Sequence, residues 1–281
     1  AHADSDHFFL CLRENDPREI QLRLERIVEE INAFNESSEE PYYLTIQQGV
    51  YIVGEPSLEI MVIQDRARTA CRASTQEGRC VFYDTALTER LQKELELNNL
   101  FEQSLENGDF KLYLQPKVQP SGGKVNSAEA LVRWQHPQRG MIYPSDFIPL
   151  FEKNGRICQL DLFVFEEVCK LLLHWMDGGK EPLPISVNLS RYHFQRQNCL
   201  DQFHEIASRY CIPRGLIEME LTESIFFDDQ GIELVKMQVH KMHELGFRCS
   251  LDDFGAGYSS GAAQGIRCGC DQAGPEIFSG Y

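Results

Sequence analysis

From Phe110 onward, short apolar stretches with a period of two alternate with longer stretches in which apolar residues recur at helical spacing. The stretches with the strand pattern are FKLYLQPKV, SAEALVRW, PISVNLS, LIEMELTES and FRCSLDDFG. The helical stretches between them are amphipathic, and one of them, DQGIELVKMQVHKMHELG, ends at Gly246. This alternation predicts an α/β fold in which parallel strands are joined by crossover helices. Nearly every predicted strand ends in a polar cluster, which is typical of a TIM-type (β/α)8 barrel with its chemistry at the carboxyl ends of the strands.

The chain before Phe110 has a different rhythm. Residues 17–34 place apolar side chains on one helical face after Asp16 as N-cap and Pro17 in the first turn. FFLCL, YLTIQQGVYIV and RCVFYD have strand patterns, and residues 57–73 have a helical one. Residues 1–84 are therefore predicted to form a small α+β unit whose beginning is missing. Residues 85–107 carry a narrow leucine stripe, which favours a linker helix over the alternative of a short coiled coil.

Composition narrows the possible partners and the compartment. The net charge of −16 argues against a DNA-binding protein, which needs a basic surface, but it permits a small nucleotide ligand. The sequence contains no apolar run long enough to span a bilayer and no secretory leader. Eight of the ten cysteines are scattered, Cys268 and Cys270 form the one close pair, and no Cys-x-x-Cys pair occurs, which indicates reduced thiols in the cytoplasm. Because the chain begins with Ala1, we expect a fragment, which is consistent with the cytoplasmic part of a longer, membrane-anchored sensor.

Acidic and amide side chains share one face of the successive predicted strands. The period of two places Glu129 and Arg133 on the same face of their strand. It does the same for Ser186 and Asn188 and for Glu218 and Glu220 in the next two strands, and Asp252 and Asp253 close the last strand. A single carboxylate at a strand end is ordinarily a solvated group or a helix cap. Repetition on successive strands favours a common centre, where carboxylates need cations to offset their repulsion. Hard oxygen ligands of this kind suit Mg²⁺, Mn²⁺ or Ca²⁺.

The same residues carry the motifs of a known family. Glu129-Ala130-Leu131 stands between LYLQPKV and the segments SDFIPLFEKNG, ISVNLS, ELTES and LDDFGAGYSS, in family order and spacing. Over residues 108–260 the chain resembles the EAL domain, a cyclic di-GMP phosphodiesterase family with a TIM-like barrel whose first strand is unusual. The resemblance implies hydrolysis of cyclic di-GMP to linear pGpG with two Mg²⁺ or Mn²⁺ ions. It also implies a homodimer formed through the EAL domain when that domain is intact.

The resemblance also assigns a role to particular residues of this chain. It implies five metal ligands, namely Glu129, Asn188, Glu220, Asp252 and Asp253. Of these, Glu129, Asp252 and Asp253 would be catalytic together with Glu223, which would anchor the loop at residues 253–260. Arg133 would bind a phosphate oxygen, and Gln115 and Leu131 would line the substrate cleft.

The beginning of the chain resembles part of a GGDEF domain. Asp4-Ser5-Asp6-His7-Phe8 stands where that family has Gly-Gly-Asp-Glu-Phe, and TIQQGVYIV and RCVFYD resemble the end of the domain. Asp4 and Ser5 replace the two glycines, and His7 replaces the glutamate. The glycines allow close backbone approach at the nucleotide, and the acid handles metal. We therefore expect residues 1–84 to be a partial, degenerate GGDEF domain without cyclase activity.

The apolar periodicity stops after Ser260. Residues 261–281, GAAQGIRCGCDQAGPEIFSGY, match neither the helical nor the strand template. In the EAL family a later strand supplies a lysine that is thought to orient or deprotonate the attacking water, and this chain has no lysine after Lys241. Codons that could encode the tail permit the peptide ALLKGFDVDVIKLDRKFF when they are read one base later. We hypothesise that the tail is frameshifted, either by a real lesion or by a sequencing error, which resequencing tests.

The tail affects what the chain is expected to do. Five strands form an incomplete barrel with an open sheet edge, which predicts low stability and impaired catalysis. The alternatives to a phosphodiesterase are a catalytically inactive module that binds cyclic di-GMP or regulates a partner, and a non-functional product. Formation of pGpG in the presence of Mn²⁺ distinguishes the enzyme from both, and calorimetry with cyclic di-GMP separates the other two.

Overall fold

The computed structural model describes residues 2–4, 7–36, 43–74, 78–119, 122–195, 198–222 and 229–252. For residues 2–4, 195, 222, 229–235, 251 and 252 it describes the backbone alone. The chain divides into two compact units, Ala1–Glu96 and Leu97–Tyr281. In the described part of the chain, no helix combines the length and the apolar character that crossing a membrane requires.

The first unit contains helices and very short strands. Its helices are α1 (Pro17–Glu36) and α2 (Ile60–Arg72), and its strands are β1 (His2–Asp4), β2 (His7–Phe8), β3 (Gly49–Val50) and β4 (Val81–Phe82). Strands β1 and β2 pair antiparallel, and β3 and β4 pair parallel. The predicted cap of α1 is confirmed, because Asp16 Oδ1 accepts a hydrogen bond of 2.9 Å from the backbone N–H of Arg18.

The strands of the first unit are much shorter than their sequence patterns predict. Of FFLCL only Phe8 lies in a strand, and of YLTIQQGVYIV only Gly49 and Val50 do. Leu10 is 59% exposed, so this part of the predicted buried strand lies at the surface. An apolar run becomes a strand only where a partner strand supplies hydrogen bonds, and β4 offers only two paired residues to β3.

The second unit contains the alternating elements predicted from Phe110 onward. Helix α3 (Thr85–Glu106) crosses the division between the units, and its residues Leu97 and Phe101 are buried in the second unit. The strands that follow are β5 (Phe110–Val118), β6 (Val125–His136), β7 (Gly140–Ile142), β8 (Ile185–Leu189), β9 (Ile217–Thr222) and β10 (Arg248–Asp252). The helices are α4 (Pro144–Asn154), α5 (Ile157–Asp177), α6 (Cys199–Arg209) and α7 (Asp229–Leu245), with a 3₁₀ turn at Arg191–Gln195.

The main sheet has the strand order β10-β9-β8-β6-β5, and β7 pairs with β6. Strands β6, β8, β9 and β10 are parallel, as the alternation predicts. The prediction of parallel strands is wrong for β5, which pairs antiparallel with β6. Only six residues separate β5 from β6, which are too few for the crossover helix that a parallel pair requires.

One face of this sheet packs against the helices. Ile185, Val187 and Leu189 of β8 lie in the same buried cluster as Ile217 and Met219 of β9. A second cluster, next to α3, α4 and β6, is rich in aromatic rings, and Phe110 stacks on Trp134 with ring centroids 4.7 Å apart. Because side chains alternate along a strand, this packing leaves the intervening polar residues on the opposite face.

Candidate active site

The sheet face that points away from the helices carries the polar residues predicted to form the site. The alternate residues of three parallel strands on this face are Glu129, Leu131 and Arg133 of β6, Ser186 and Asn188 of β8, and Glu218 and Glu220 of β9. We call this the lumen face. The register places Glu129 beside Ser186 and Asn188 beside Glu220, so two predicted metal ligands are direct neighbours on adjacent strands.

Glu129 and Asn188 are in contact. The side-chain amide of Asn188 donates a hydrogen bond from Nδ2 to Glu129 Oε1 over 3.1 Å. This bond fixes the orientation of the Asn188 amide, and it holds the Glu129 carboxylate against β8. The structure therefore brings together two of the predicted ligands through a direct bond.

Glu220 of β9 forms an ion pair with Lys117 of β5, the strand at the far end of the strand order. The Lys117 ammonium forms an ion pair with Glu220 Oε1 and donates a second hydrogen bond of 2.9 Å to Ser186 Oγ. Glu220 is only 5% exposed, while the Lys117 side chain is 39% exposed. The Lys117 side chain thus lies along the lumen face, and its ammonium contacts Glu220, a deeply buried carboxylate of the site.

Burial and neighbouring charges shift the pKa values of both members of this pair. Burial lowers the pKa of Lys117, but the hydrogen bond to Glu220 and the nearby charges of Glu218 and Glu129 outweigh it and raise that pKa above its usual value. Burial also raises the pKa of Glu220, and Glu129 adds to it, although Lys117 and Ser186 act against the shift. Lys117 therefore offsets only part of the effect of burial on the pKa of Glu220.

The three predicted substrate-binding residues lie on the same lumen face. Gln115 of β5 is exposed and pairs directly with Glu129 on β6. Leu131 follows Glu129 by two residues and is half-buried. Arg133 lies one step further toward the carboxyl end of β6, where its Nη1 donates a hydrogen bond of 2.8 Å to the carbonyl oxygen of Val132. The three residues therefore line one edge of the site.

The remaining predicted site residues are described only in part. Asp252 is the last residue of β10 and pairs with Thr222 of β9, which places its backbone at the carboxyl end of the sheet, although its side chain is not described. Glu223 and Asp253 lie outside the described residues. Their assigned roles stay predictions.

The donors on the lumen face fit a hard divalent cation. Glu129, Asn188 and Glu220 offer carboxylate and amide oxygens, which are the groups that Mg²⁺ and Mn²⁺ prefer. The Lys117 ammonium is bonded to one of these carboxylates, so a cation already occupies a position among the donors. In the described part of the chain, no three His, Cys, Asp or Glu side chains form a metal-binding group by themselves.

Lys117 and Ser186 take part in the site although the sequence motifs assign them no role. Ser186 shares the polar face of its strand with Asn188, which the period of two predicts. Lys117 follows Gln115 by two residues in a strand, so the same period places it on the lumen face. That spacing was available in the sequence, but the contact with Glu220 depends on how the sheet curves.

Known proteins resemble this chain both in sequence and in fold. The EAL domain family model matches residues 98–263. The chain is 31% identical over 263 residues to the bifunctional diguanylate cyclase/cyclic di-GMP phosphodiesterase MucR of Pseudomonas aeruginosa, covering 92% of this chain and 38% of MucR. It is 33% identical over 221 residues to the cyclic di-GMP phosphodiesterase PdeR of Escherichia coli K12, covering 78% of this chain and 33% of PdeR.

Solved structures of EAL proteins also resemble this chain in fold. The structure of the PaMucR phosphodiesterase in complex with cyclic di-GMP is 35% identical with a TM-score of 0.53, over 59% of this chain and 66% of that one. The FimX EAL domain from Pseudomonas aeruginosa, bound to cyclic di-GMP, has a TM-score of 0.50 at 20% identity over 58% of this chain and 64% of that one, which supports the fold alone. The expected α/β, TIM-barrel-like fold is thus confirmed for the matched residues, and the chain belongs to the EAL domain family.

Proposed function

We propose that this chain is a cyclic di-GMP-specific phosphodiesterase that hydrolyses one phosphodiester of cyclic di-GMP to give linear pGpG. The observation that carries the proposal is the convergence of Glu129, Asn188 and Glu220 on one lumen face. Relatives that are named as cyclic di-GMP phosphodiesterases support this substrate.

The metal part of the proposal assigns ligands on four strands. Glu129, Asn188 and Glu220, with Asp252 and Asp253, would hold two Mg²⁺ or Mn²⁺ ions. Such ions supply an activated water and stabilise charge on the leaving oxygen of an in-line displacement. The protein contributes the fixed orientation of these donors, since the Asn188 amide holds Glu129 through a 3.1 Å hydrogen bond.

Other residues would bind and position the substrate. Arg133 is anchored through Nη1 to the Val132 carbonyl, and its guanidinium has further N–H donors for a phosphate oxygen. Gln115 and Leu131 would line the cleft beside Glu129. Glu223 would anchor the loop at residues 253–260.

A catalytically inactive cyclic di-GMP-binding or regulatory module is the second candidate. The observation that favours it is that residues 261–281 contain no lysine, whereas the family resemblance implies in this region a lysine that orients or deprotonates the attacking water. The metal and phosphate ligands would then retain binding without efficient hydrolysis. We accordingly expect impaired turnover in this chain.

The two candidates are separated by assaying the full chain with cyclic di-GMP and Mn²⁺ and quantifying pGpG by chromatography. We expect pGpG to form, and we expect Glu129→Gln to abolish it. Glu181→Gln, which makes the same change at an exposed position before β8, is the control and should leave the rate unchanged. Calorimetric binding of cyclic di-GMP without any pGpG would favour the binding module, and neither binding nor turnover would contradict both.

The rest of the proposal concerns the first unit, assembly and compartment. We propose that residues 1–84 are a partial, degenerate GGDEF domain, which predicts no cyclic di-GMP synthesis from GTP. We further propose a homodimer formed through the EAL region, which light scattering of the purified chain tests. We also propose a cytoplasmic location, because none of the eight cysteines in the described part of the chain forms a disulfide, namely Cys11, Cys71, Cys80, Cys158, Cys169, Cys199, Cys211 and Cys249.

A further inference from the structure

Lys117 connects two strands that are far apart in the order of the sheet. It lies in β5, and its ion-pair partner Glu220 lies in β9, with β6 and β8 between them. Neighbouring strands are about 4.8 Å apart, so a flat sheet would separate β5 from β9 by about 14 Å before any offset along the strands. The contact therefore requires a curved sheet, and it spans the inside of that curve.

The contact places the Lys117 ammonium among three acidic side chains of the lumen face. Glu220 accepts its hydrogen bond, while Glu129 and Glu218 act on it through space. Ser186 Oγ accepts a further hydrogen bond of 2.9 Å. The ammonium thus supplies the positive charge that a buried carboxylate such as Glu220 requires.

A divalent cation and this ammonium compete for the same ligand. A cation that binds through Glu220 approaches its carboxylate oxygens to about 2.1 Å. At that range the ammonium and the ion would repel each other strongly. Because the Lys117 side chain is 39% exposed, its flexible stem has a route by which the head can move toward solvent.

We propose that Lys117 is the internal counter-ion of Glu220 in the metal-free protein and that it releases this carboxylate when a divalent cation binds. Lys117 thereby stabilises the empty site and lowers its affinity for metal. The inference rests on the proposed metal-dependent function, because it takes Glu220 as a metal ligand.

The first test measures Mn²⁺ binding to the full chain by titration calorimetry, without nucleotide. Lys117→Met keeps the length of the side chain and removes the charge, and we expect a Kd for Mn²⁺ at least about tenfold lower than in the wild type. We also expect a lower Tm than the wild type in EDTA and a larger rise in Tm on adding Mn²⁺. Lys111→Met is the matched control, since it removes an exposed lysine from the same strand and should change neither quantity.

The second test uses the wild-type chain and does not depend on a variant that folds. Lysine acetylation by a mild reagent, followed by mass spectrometry, compares the reactivity of Lys117 in EDTA and in Mn²⁺. Release from Glu220 should raise the acetylation rate of Lys117 severalfold in Mn²⁺, while that of Lys111 stays constant.

The outcomes distinguish failure of this inference from failure of the proposed function. Equal or weaker Mn²⁺ affinity in Lys117→Met, or unchanged or slower acetylation of Lys117 in Mn²⁺, overturns the role of Lys117 and leaves the metal site intact. Absence of Mn²⁺ binding in both the wild type and Lys117→Met overturns the inference together with the metal part of the proposed function. Mn²⁺ binding that appears only in the variant supports the inference.

Discussion

The Nε2 atom of His193 lies 3.0 Å from Oδ2 of Asp161, and this pair joins the 3₁₀ turn after β8 to helix α5. Both side chains are almost inaccessible to solvent, with 4% and 12% of their surfaces exposed. The same carboxylate oxygen accepts the backbone N–H of Ser190 over 3.0 Å. Because Ser190 follows Asn188 by two residues, the pair fixes the backbone just after a proposed metal ligand.

The pair predicts a dependence of stability on pH. Burial lowers the pKa of His193, but hydrogen bonds to Asp161 and Cys158 outweigh it and raise that pKa to about 9. An unfolded histidine has a pKa of about 6.5, so the stabilisation is fully present below that pH and is lost as the pH rises through about 9. Urea denaturation from pH 6 to 10 should show the wild type losing up to about 3 kcal/mol more than His193→Gln over this interval.

A histidine on the surface of α5 provides the control. His174 is exposed, and His174→Gln should retain the pH dependence of the wild type. If the wild type and His193→Gln lost the same free energy of unfolding between pH 6 and 10, folding would not raise the pKa of His193. That result would contradict the prediction.

The second half of α3 belongs to the core of the second unit, which predicts a sharp contrast between two leucines. Leu97 is 1% exposed and lies in the aromatic cluster with Phe101 and Trp134, whereas Leu95 is 62% exposed. Leu97→Ala should reduce the free energy of unfolding by about 2–4 kcal/mol, and Leu95→Ala by less than about 0.5 kcal/mol. Denaturation followed by tryptophan fluorescence measures both, because Trp134 lies in the affected cluster. Similar losses for the two variants would contradict the burial of α3.

These residues show what the sequence could and could not predict. The leucine stripe predicts the helix at Thr85–Glu106. The same stripe would occur in a helix that packs on its own domain and in one that packs on another chain. The burial of Leu97 therefore could not be predicted from it. The period of two placed Glu129, Asn188 and Glu220 on the correct faces because it is a local property of a strand. The bond from Lys117 to Glu220 was not predicted because it depends on the curvature of a sheet of several strands. Short pairings such as that of Gly49 were also missed, since apolar sequence does not reveal how many partner residues a strand finds.

The contact between β3 and α2 leaves no space for a side chain at Gly49. A Cβ atom there would lie 2.0 Å from the backbone nitrogen of Cys71 and 2.4 Å from the carbonyl oxygen of Ala67. Backbone atoms of a helix cannot move aside like a flexible side chain, so Gly49→Ala should destabilise the first unit by at least about 2 kcal/mol. Hydrogen exchange is the suitable measurement, because α2 should lose protection in this variant.

The first unit contains a glycine that controls for the substitution itself. A Cβ at Gly54 would have no atom within 4 Å, so Gly54→Ala should leave the exchange of α2 unchanged. If Gly49→Ala preserved full protection of α2, the close approach of β3 to the helix would be disproved.

The hydrogen bond between Asn188 and Glu129 predicts how the site responds to an added charge. Asn188→Asp replaces the amide donor, now 3.1 Å from Glu129 Oε1, with a second carboxylate. Two like charges at this distance repel, although the exposure of Asn188 to solvent limits the cost to about 1 kcal/mol. In EDTA the variant should therefore melt about 2–4 °C below the wild type. A divalent ion bound between the carboxylates removes this repulsion, so Mn²⁺ should raise the Tm of Asn188→Asp more than that of the wild type.

Asn126→Asp adds the same charge at an exposed position of β6 and should show no such gain. An Asn188→Asp variant with an unchanged Tm in EDTA would mean that the two side chains are apart in solution. A lower Tm that Mn²⁺ does not restore would instead place the metal away from this pair.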